Sequence, residues 1–365
     1  RSRASPSPSV CAAANSEPLP SVALTERPTA AISAAMEFEP FRPRFPWYGR
    51  HLQSMRNPLR PQPALPGGEG ARVALPLPDG DVLQARRDRP PAPDAAFPTV
   101  VLLHGLGGCE TSNYMLAASR WFTLRGAEVV RVSLRGAGPS QATCSDWSHG
   151  GRFEDVEAVL PQLAAGPAGL FLVGFSLGGS VLLNYLARGR LDPRIVAAAS
   201  VSAPLDLPAA SEVLHTPRNR LYHDYLLRAL KADYLNPHSS LTTAERDAIR
   251  RARTLFEVDD RFTAPHHGFG RALDYYREVS ALPRLVDVTL PTVLLHAVDD
   301  PFIPPHPYRA ARGRAIRVGL AEGGGHLGFH DRRGLWHLRQ CVRFLDHLGL
   351  VGAGAGLSAR DASCS

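Results

Sequence analysis

The segment that most restricts how this chain can fold is LFLVGFSLGGSVLLNYLAR, residues 170–188, where an apolar strand-like run meets an apolar helix-like run across Gly174, Ser176 and Gly178. A strand that turns so sharply into a helix brings backbone against backbone on either side of the middle residue. Only small residues at 174 and 178 leave room for that. The serine is then held in a strained conformation with its hydroxyl above the sheet edge, beside the unpaired N–H groups that open the helix. Ser180, one helical turn onward, reads as a packing residue.

The rest of the chain supplies the sheet that such a turn needs. Apolar runs at 99–105, 128–134, 170–175, 195–201, 292–296 and 315–319 show no polar alternation. Helical patterns separate them at 112–125, 151–165, from Leu177 onward and at 332–348. Strands of this kind belong to a mainly parallel sheet covered by helices on both faces, an α/β architecture. Ahead of them RVALPLP and DVLQARR flank Asp79-Gly80 as a hairpin. Between 201 and 292 the strand–helix alternation stops and helical stretches follow one another, which reads as a lid inserted after the sixth strand.

The expected organisation is a disordered or targeting segment at 1–37, an irregular Pro- and aromatic-rich arm at 38–70, and a first core part at 71–205. A helical lid at 206–288, a second core part at 289–350 and a flexible tail at 351–365 complete it.

Composition narrows the function classes. Lys and Arg outnumber Asp and Glu by 41 to 34, but the basic residues are scattered and no nucleic-acid-binding motif accompanies them. The five cysteines, at 11, 109, 144, 341 and 364, form no CxxC pair, which argues against a disulfide scaffold or a cysteine zinc site and for a reducing, cytoplasmic setting. Residues 1–16 carry Arg1 and Arg3 and no acid, a composition that also permits organellar targeting. No run of 18 apolar residues occurs, so a spanning helix is not expected.

A serine nucleophile needs a base within hydrogen-bond reach, and the base needs an orienting carboxylate. TVLLHAVDDPFIPP places Asp299 and Asp300 at the end of a buried strand, and side-by-side acids point in different directions, so one of the two faces the site. AEGGGHLGFH offers His326 on a glycine-rich loop, with His330 expected at the surface or at a helix start. The Leu177 N–H at the helix opening and the Leu106 N–H in VVLLHGLGG form the expected oxyanion hole, with Gly107 and Gly108 letting the loop fold over. His104 reads as support for that loop, Arg135 as a loop anchor, and Asp155 as a favourable charge at a helix N-terminus. Neither a phosphate-cradling nor a dinucleotide-binding glycine pattern is present. His266-His267 lack a visible carboxylate or distant ligand, so no metal site is expected. Tyr222, Tyr225, Leu226 and Leu230 suit an acyl pocket or ordinary core packing.

FRPRFPWYGRHLQS at 41–54, HGLGG at 104–108, GFSLGGSVLLNYL at 174–186, DDPF at 299–302 and GGHLGF within 324–329 together resemble the YheT-like branch of the α/β-hydrolases. That branch includes plant embryogenesis-associated proteins and mammalian abhydrolase-domain lipases. The resemblance covers about residues 38–350, and Ser54 stands where it leads one to expect Thr, Ala297 where it leads one to expect Gly. It implies an α/β-hydrolase fold with a mostly parallel eight-stranded sheet and a Ser176–Asp300–His326 triad, Asp299 being the alternative acid. It also implies a cofactor-free carboxylesterase or acylglycerol or phospholipid lipase for short or medium acyl chains. The alternatives are an acyltransferase on the same triad, an amidase, and a noncatalytic scaffold that binds a hydrophobic ligand or a protein. The expected partner is a small-molecule ester or lipid, with at most a weak peripheral contact of the basic arm with anionic membrane and no prediction of oligomeric state.

Overall fold

The computed structural model describes residues 36–352, so the expected upstream segment, apart from its last residues, and the tail beyond 352 lie outside the described residues. The strands are β1 (Ala71–Pro76), β2 (Val82–Asp88), β3 (Thr99–Leu103), β4 (Val129–Ser133), β5 (Leu170–Phe175), β6 (Ile195–Val201), β7 (Thr292–Ala297) and β8 (Ile316–Ala321). They form an eight-stranded sheet in the order β1-β2-β4-β3-β5-β6-β7-β8. β1 pairs antiparallel with β2, and β2 antiparallel with β4. From β4 to β8 every pairing is parallel. β5 lies inside the sheet between β3 and β6 with all its residues buried, as its unbroken apolar run requires.

The helices of the core are α1 (Gly49–Leu59), α2 (Asn113–Thr123), α3 (Glu154–Val159) and α4 (Leu177–Arg188). Six more lie between β6 and β7: α5 (Leu207–Leu214), α6 (Arg220–Tyr234), α7 (Thr243–Arg251), α8 (Leu255–Val258), α9 (Ala264–His266) and α10 (Ala272–Val279). α11 (His306–Ala310) and α12 (Trp336–His347) close the order. One face of the sheet packs Val156, Val159, Val181 and Leu182 of α3 and α4. The other packs Trp121 and Phe122 of α2 with Trp336 and Phe344 of α12. Each such side chain contributes roughly 1.5–3 kcal/mol on burial, so the two layers fix the sheet from both sides.

Four elements differ from the sequence reading. The helix expected over 151–165 is confined to Glu154–Val159, because Leu160-Pro161 passes into a 3-10 turn where the proline lacks an N–H to continue the ladder. The helix expected from 332 begins only at Trp336, after a short antiparallel pair, β9 (His330–Asp331) and β10 (Gly334–Leu335). The arm read as irregular contains α1, whose GRHLQSMRN stretch has no β-branched residue and whose Pro58 comes only in the last turn. His330, expected at the surface or a helix start, is buried in β9.

Arg135 is the anchor expected of it. Its guanidinium is buried and bonds both oxygens of Asp155 at 3.0 and 2.8 Å, and it also bonds Asp81. Asp155 thus serves less as a helix-end charge than as the partner of a buried cation. Cys109, Cys144 and Cys341 are free thiols, while Cys11 and Cys364 lie outside the described residues. Among the described residues no helix is long and apolar enough to cross a membrane.

Candidate active site

The turn between β5 and α4 has the strain its sequence calls for. Ser176 sits at φ 50°, ψ −122°, and a Cβ on Gly174 would lie 2.5 Å from the Gly178 carbonyl oxygen. A side chain at 178 would collide with the carbonyl oxygens of His104 and Leu103, so both glycines are steric requirements.

Two other strand ends meet this turn. His326 Nε2 lies 3.0 Å from Ser176 Oγ, and His326 Nδ1 lies 2.9 Å from Asp300 Oδ2. The other oxygen of Asp300 accepts the N–H groups of Phe302 and Ile303 at 2.8 and 3.1 Å. Burial alone would raise the Asp300 carboxyl, but His326, His296 and the Phe302 N–H outweigh it and hold the group below the usual carboxylate range. Asp299 turns away from the imidazole and accepts the Gly325 N–H at 2.9 Å, bracing the loop instead, and burial pushes its carboxyl up. Ser176, Asp300 and His326 are therefore in one chain of hydrogen bonds, and Asp299 is not in it.

The loop after β3 is held from within. His104 is buried, its Nε2 accepts the Leu134 N–H at 2.9 Å, and its Nδ1 is 2.8 Å from the Gly105 carbonyl oxygen. Burial pulls it down to about 4, so it is a neutral brace, as expected. Leu106 and Leu177 border the same cavity as Ser176.

Sequence reasoning missed what holds the histidine loop. Ser54 Oγ accepts the His326 N–H at 2.8 Å and donates to the Arg50 carbonyl. Asn57 donates to the Leu327 carbonyl at 2.9 Å, and Gln53 bonds both the N–H and the carbonyl of His330. Three polar residues of α1 thus fix a loop whose Leu327 and Phe329 sit at φ 58° and 51°, a conformation that needs outside support. The signal was the HLQS run itself, which has no apolar periodicity to explain it.

Above Ser176 opens a cavity of about 850 Å³. Tyr222, Tyr225, Leu226 and Leu230 of α6 all border it, with Met55 of α1 and Phe302, whose ring stacks on His326 at 4.3 Å. Asp259 also borders it, on a π-helical turn (Asp259–Thr263), and accepts the Tyr276 hydroxyl at 2.6 Å. Burial pushes its carboxyl up to about 6.

A carboxyl raised in the folded state costs stability as pH climbs from its unfolded value through about 6, and the cost is level above that. Asp259→Asn keeps an acceptor for Tyr276 and removes the ionisation. Allowing for water in the cavity, the variant is expected to gain roughly 1 kcal/mol over the natural chain between pH 5 and pH 8 in urea unfolding. A gain identical at both pH values would show that ionisation of Asp259 is not involved.

His266 and His267, for which the sequence showed no carboxylate, do have one: Asp146 Oδ1 lies 3.1 Å from His266 Nε2 and 4.0 Å from His267 Nε2.

Residues 100–336 match the alpha/beta hydrolase family. The chain is 35% identical to YheT of Escherichia coli over 265 residues, 70% of this chain and 77% of that one. It is 33% identical to the human phospholipase ABHD3 over 66% of this chain, and spans 60% of that longer protein. Among solved structures, an esterase from Pyrococcus furiosus overlays with a TM-score of 0.52 at 14% identity, over 86% of this chain and 98% of that one, a likeness of fold. By its eight-stranded sheet, its strained serine turn and its likeness to these relatives, the chain belongs to the YheT-like branch of the α/β-hydrolase family.

Proposed function

We propose that this protein is a carboxylic ester hydrolase that cleaves lipid-like esters through an acyl-Ser176 intermediate. The observation that carries the reading is the Asp300–His326–Ser176 hydrogen-bond chain ending at the floor of a large, mainly apolar cavity. His326 Nε2 takes the hydroxyl proton as Ser176 Oγ attacks the ester carbonyl. The N–H groups of Leu106 and Leu177 receive the oxyanion, and Asp300 keeps the Nδ1–H tautomer and favours the imidazolium. His326 then gives the proton to the departing alkoxide. Water attacks the acyl-enzyme by the same steps, which releases the acid and restores Ser176.

Helices α5–α10 act as the lid, and the tyrosines and leucines of α6 hold the acyl chain. The surface around the opening favours a lipid over a freely soluble ester. Tyr48, Leu52, Met55 and Leu59 follow helical spacing along α1 and its cap, and all are exposed, as are Leu221 and Tyr225 one turn apart on α6. Leu221 is 82% exposed and Leu59 63%. Exposed Arg44, Arg60, Arg218, Arg220 and Arg228 accompany them, and α1 contains no acid. An apolar patch with basic residues beside it suits the surface of an anionic bilayer.

The test compares a panel of monoacylglycerols and p-nitrophenyl esters with anilides and with added alcohol acceptors. Esters hydrolysed to free acid support the reading, while acyl transfer to the alcohol or faster anilide cleavage would replace it. On vesicles containing phosphatidylserine, the double variant Leu52→Ser, Leu59→Ser, on the exposed side of α1 and outside the cavity lining, is expected to partition ~10-fold more weakly. Its hydrolysis of a short soluble ester stays unchanged. Equal partitioning of both proteins would remove the membrane from the account.

A further inference from the structure

The loop that follows β4 carries Asp146, and the chain after the π-helical turn carries His266 and His267, so the fold brings together groups about 120 residues apart in sequence. Asp146 divides its oxygens. Oδ2 bonds the Arg152 guanidinium, while Oδ1 accepts the Trp147 N–H at 2.8 Å and faces both Nε2 atoms of the histidine pair. Glu245 Oε1 lies 3.5 Å from His266 Nδ1, where it would fix the tautomer that presents Nε2 to a ligand.

An ordinary ion pair accounts for His266 and Asp146 but not for His267. The His267 side chain is only 5% exposed, and its Nε2 has no hydrogen-bond partner although it points toward Asp146. A buried polar atom left without a partner costs roughly 1–3 kcal/mol and calls for an explanation.

We infer that Asp146, His266 and His267 bind a zinc-class divalent cation, at a site apart from Ser176 that ties the loop after β4 to the inserted helices. Two imidazoles and one carboxylate are a ligand set for zinc and its neighbours, with a remaining position for water. Metal–ligand bonds of about 2.0–2.1 Å put tetrahedral ligand atoms roughly 3.3 Å apart. The three atoms here lie within 4.8 Å of one another, so binding requires the widest pair to close by on the order of 1 Å. His266, whose side chain is 29% exposed, has the freedom to make that movement. His149, whose ring lies tilted against that of His267 with centroids 4.5 Å apart, borders the cavity above Ser176, so the cation would stiffen one wall of it.

The inference does not depend on the ester-hydrolase reading. Untagged full-length protein, stripped with a chelator, is titrated with Co²⁺ as a spectroscopic probe and then with Zn²⁺. One equivalent of Co²⁺ is expected to give a visible d–d band that Zn²⁺ displaces, and Zn²⁺ is expected to raise the Tm. His266→Gln and Asp146→Asn should each weaken Co²⁺ binding ~100-fold or more and abolish the Tm rise, whereas His306→Gln, an exposed histidine outside the cluster, changes neither. Far-UV circular dichroism and a cooperative thermal transition of the metal-free protein check that each variant is folded. Because Asp146→Asn also disturbs Arg152, the half-exposed His266→Gln decides. No band at stoichiometric Co²⁺, or a band that folded His266→Gln leaves intact, overturns the inference.

Discussion

Asp300→Asn is expected to lower kcat on a chromogenic ester by ~10³–10⁴-fold, while Asp299→Asn changes it by less than about 10-fold. The two acids are neighbours in sequence, but only Asp300 Oδ2 meets His326 Nδ1, at 2.9 Å. An amide at 300 presents a donor or a weaker acceptor to that nitrogen, so the imidazole loses both its tautomer and the charge that stabilises its protonated form. At 299 the side chain only accepts the Gly325 N–H, a bond that the Asn oxygen keeps. KM should hardly move in either variant, because neither side chain is placed to bind the acyl chain. Comparable losses in both variants would mean that the acids share the role.

Ser176→Ala carries the other large effect, a fall in kcat of ~10⁴–10⁶-fold. A residual rate above that of water is expected, since backbone donors at Leu106 and Leu177 and the cavity remain. Alanine in the same left-handed conformation bears about the same strain as serine, so thermal unfolding should be close to that of the natural chain. Activity surviving in the alanine protein would move the nucleophile elsewhere.

How much of this was legible in the sequence depended on how local the cause was. Gly174 is small because of contacts within the turn itself, so the turn was readable at once, even though Gly178 is small because Leu103 and His104 at the end of β3 pack against it. The sheet was readable because buried parallel strands are unbroken apolar runs. The choice between Asp299 and Asp300 rested on resemblance, because which of two adjacent side chains faces inward depends on the loop that follows. The role of α1 was hidden for a different reason. Ser54 and Gln53 act on residues more than 270 positions away, and a polar helix that buries Gln53 leaves no periodic trace. His330 was misplaced for the same cause, since its partners Gln53 and Asn57 come from that distant helix. The Asp146 carboxylate beside His266 and His267 was likewise invisible, because the loop and the inserted helices meet only in the folded chain.

The central claim, that Ser176 is a nucleophile activated by His326, is tested most directly by reacting the folded protein with a fluorophosphonate and locating the adduct by peptide mass spectrometry. One adduct per chain on Ser176, formed at least ~100-fold more slowly in His326→Ala, is the predicted result. An adduct on another residue such as Ser180, or a folded protein that takes up none, would contradict it.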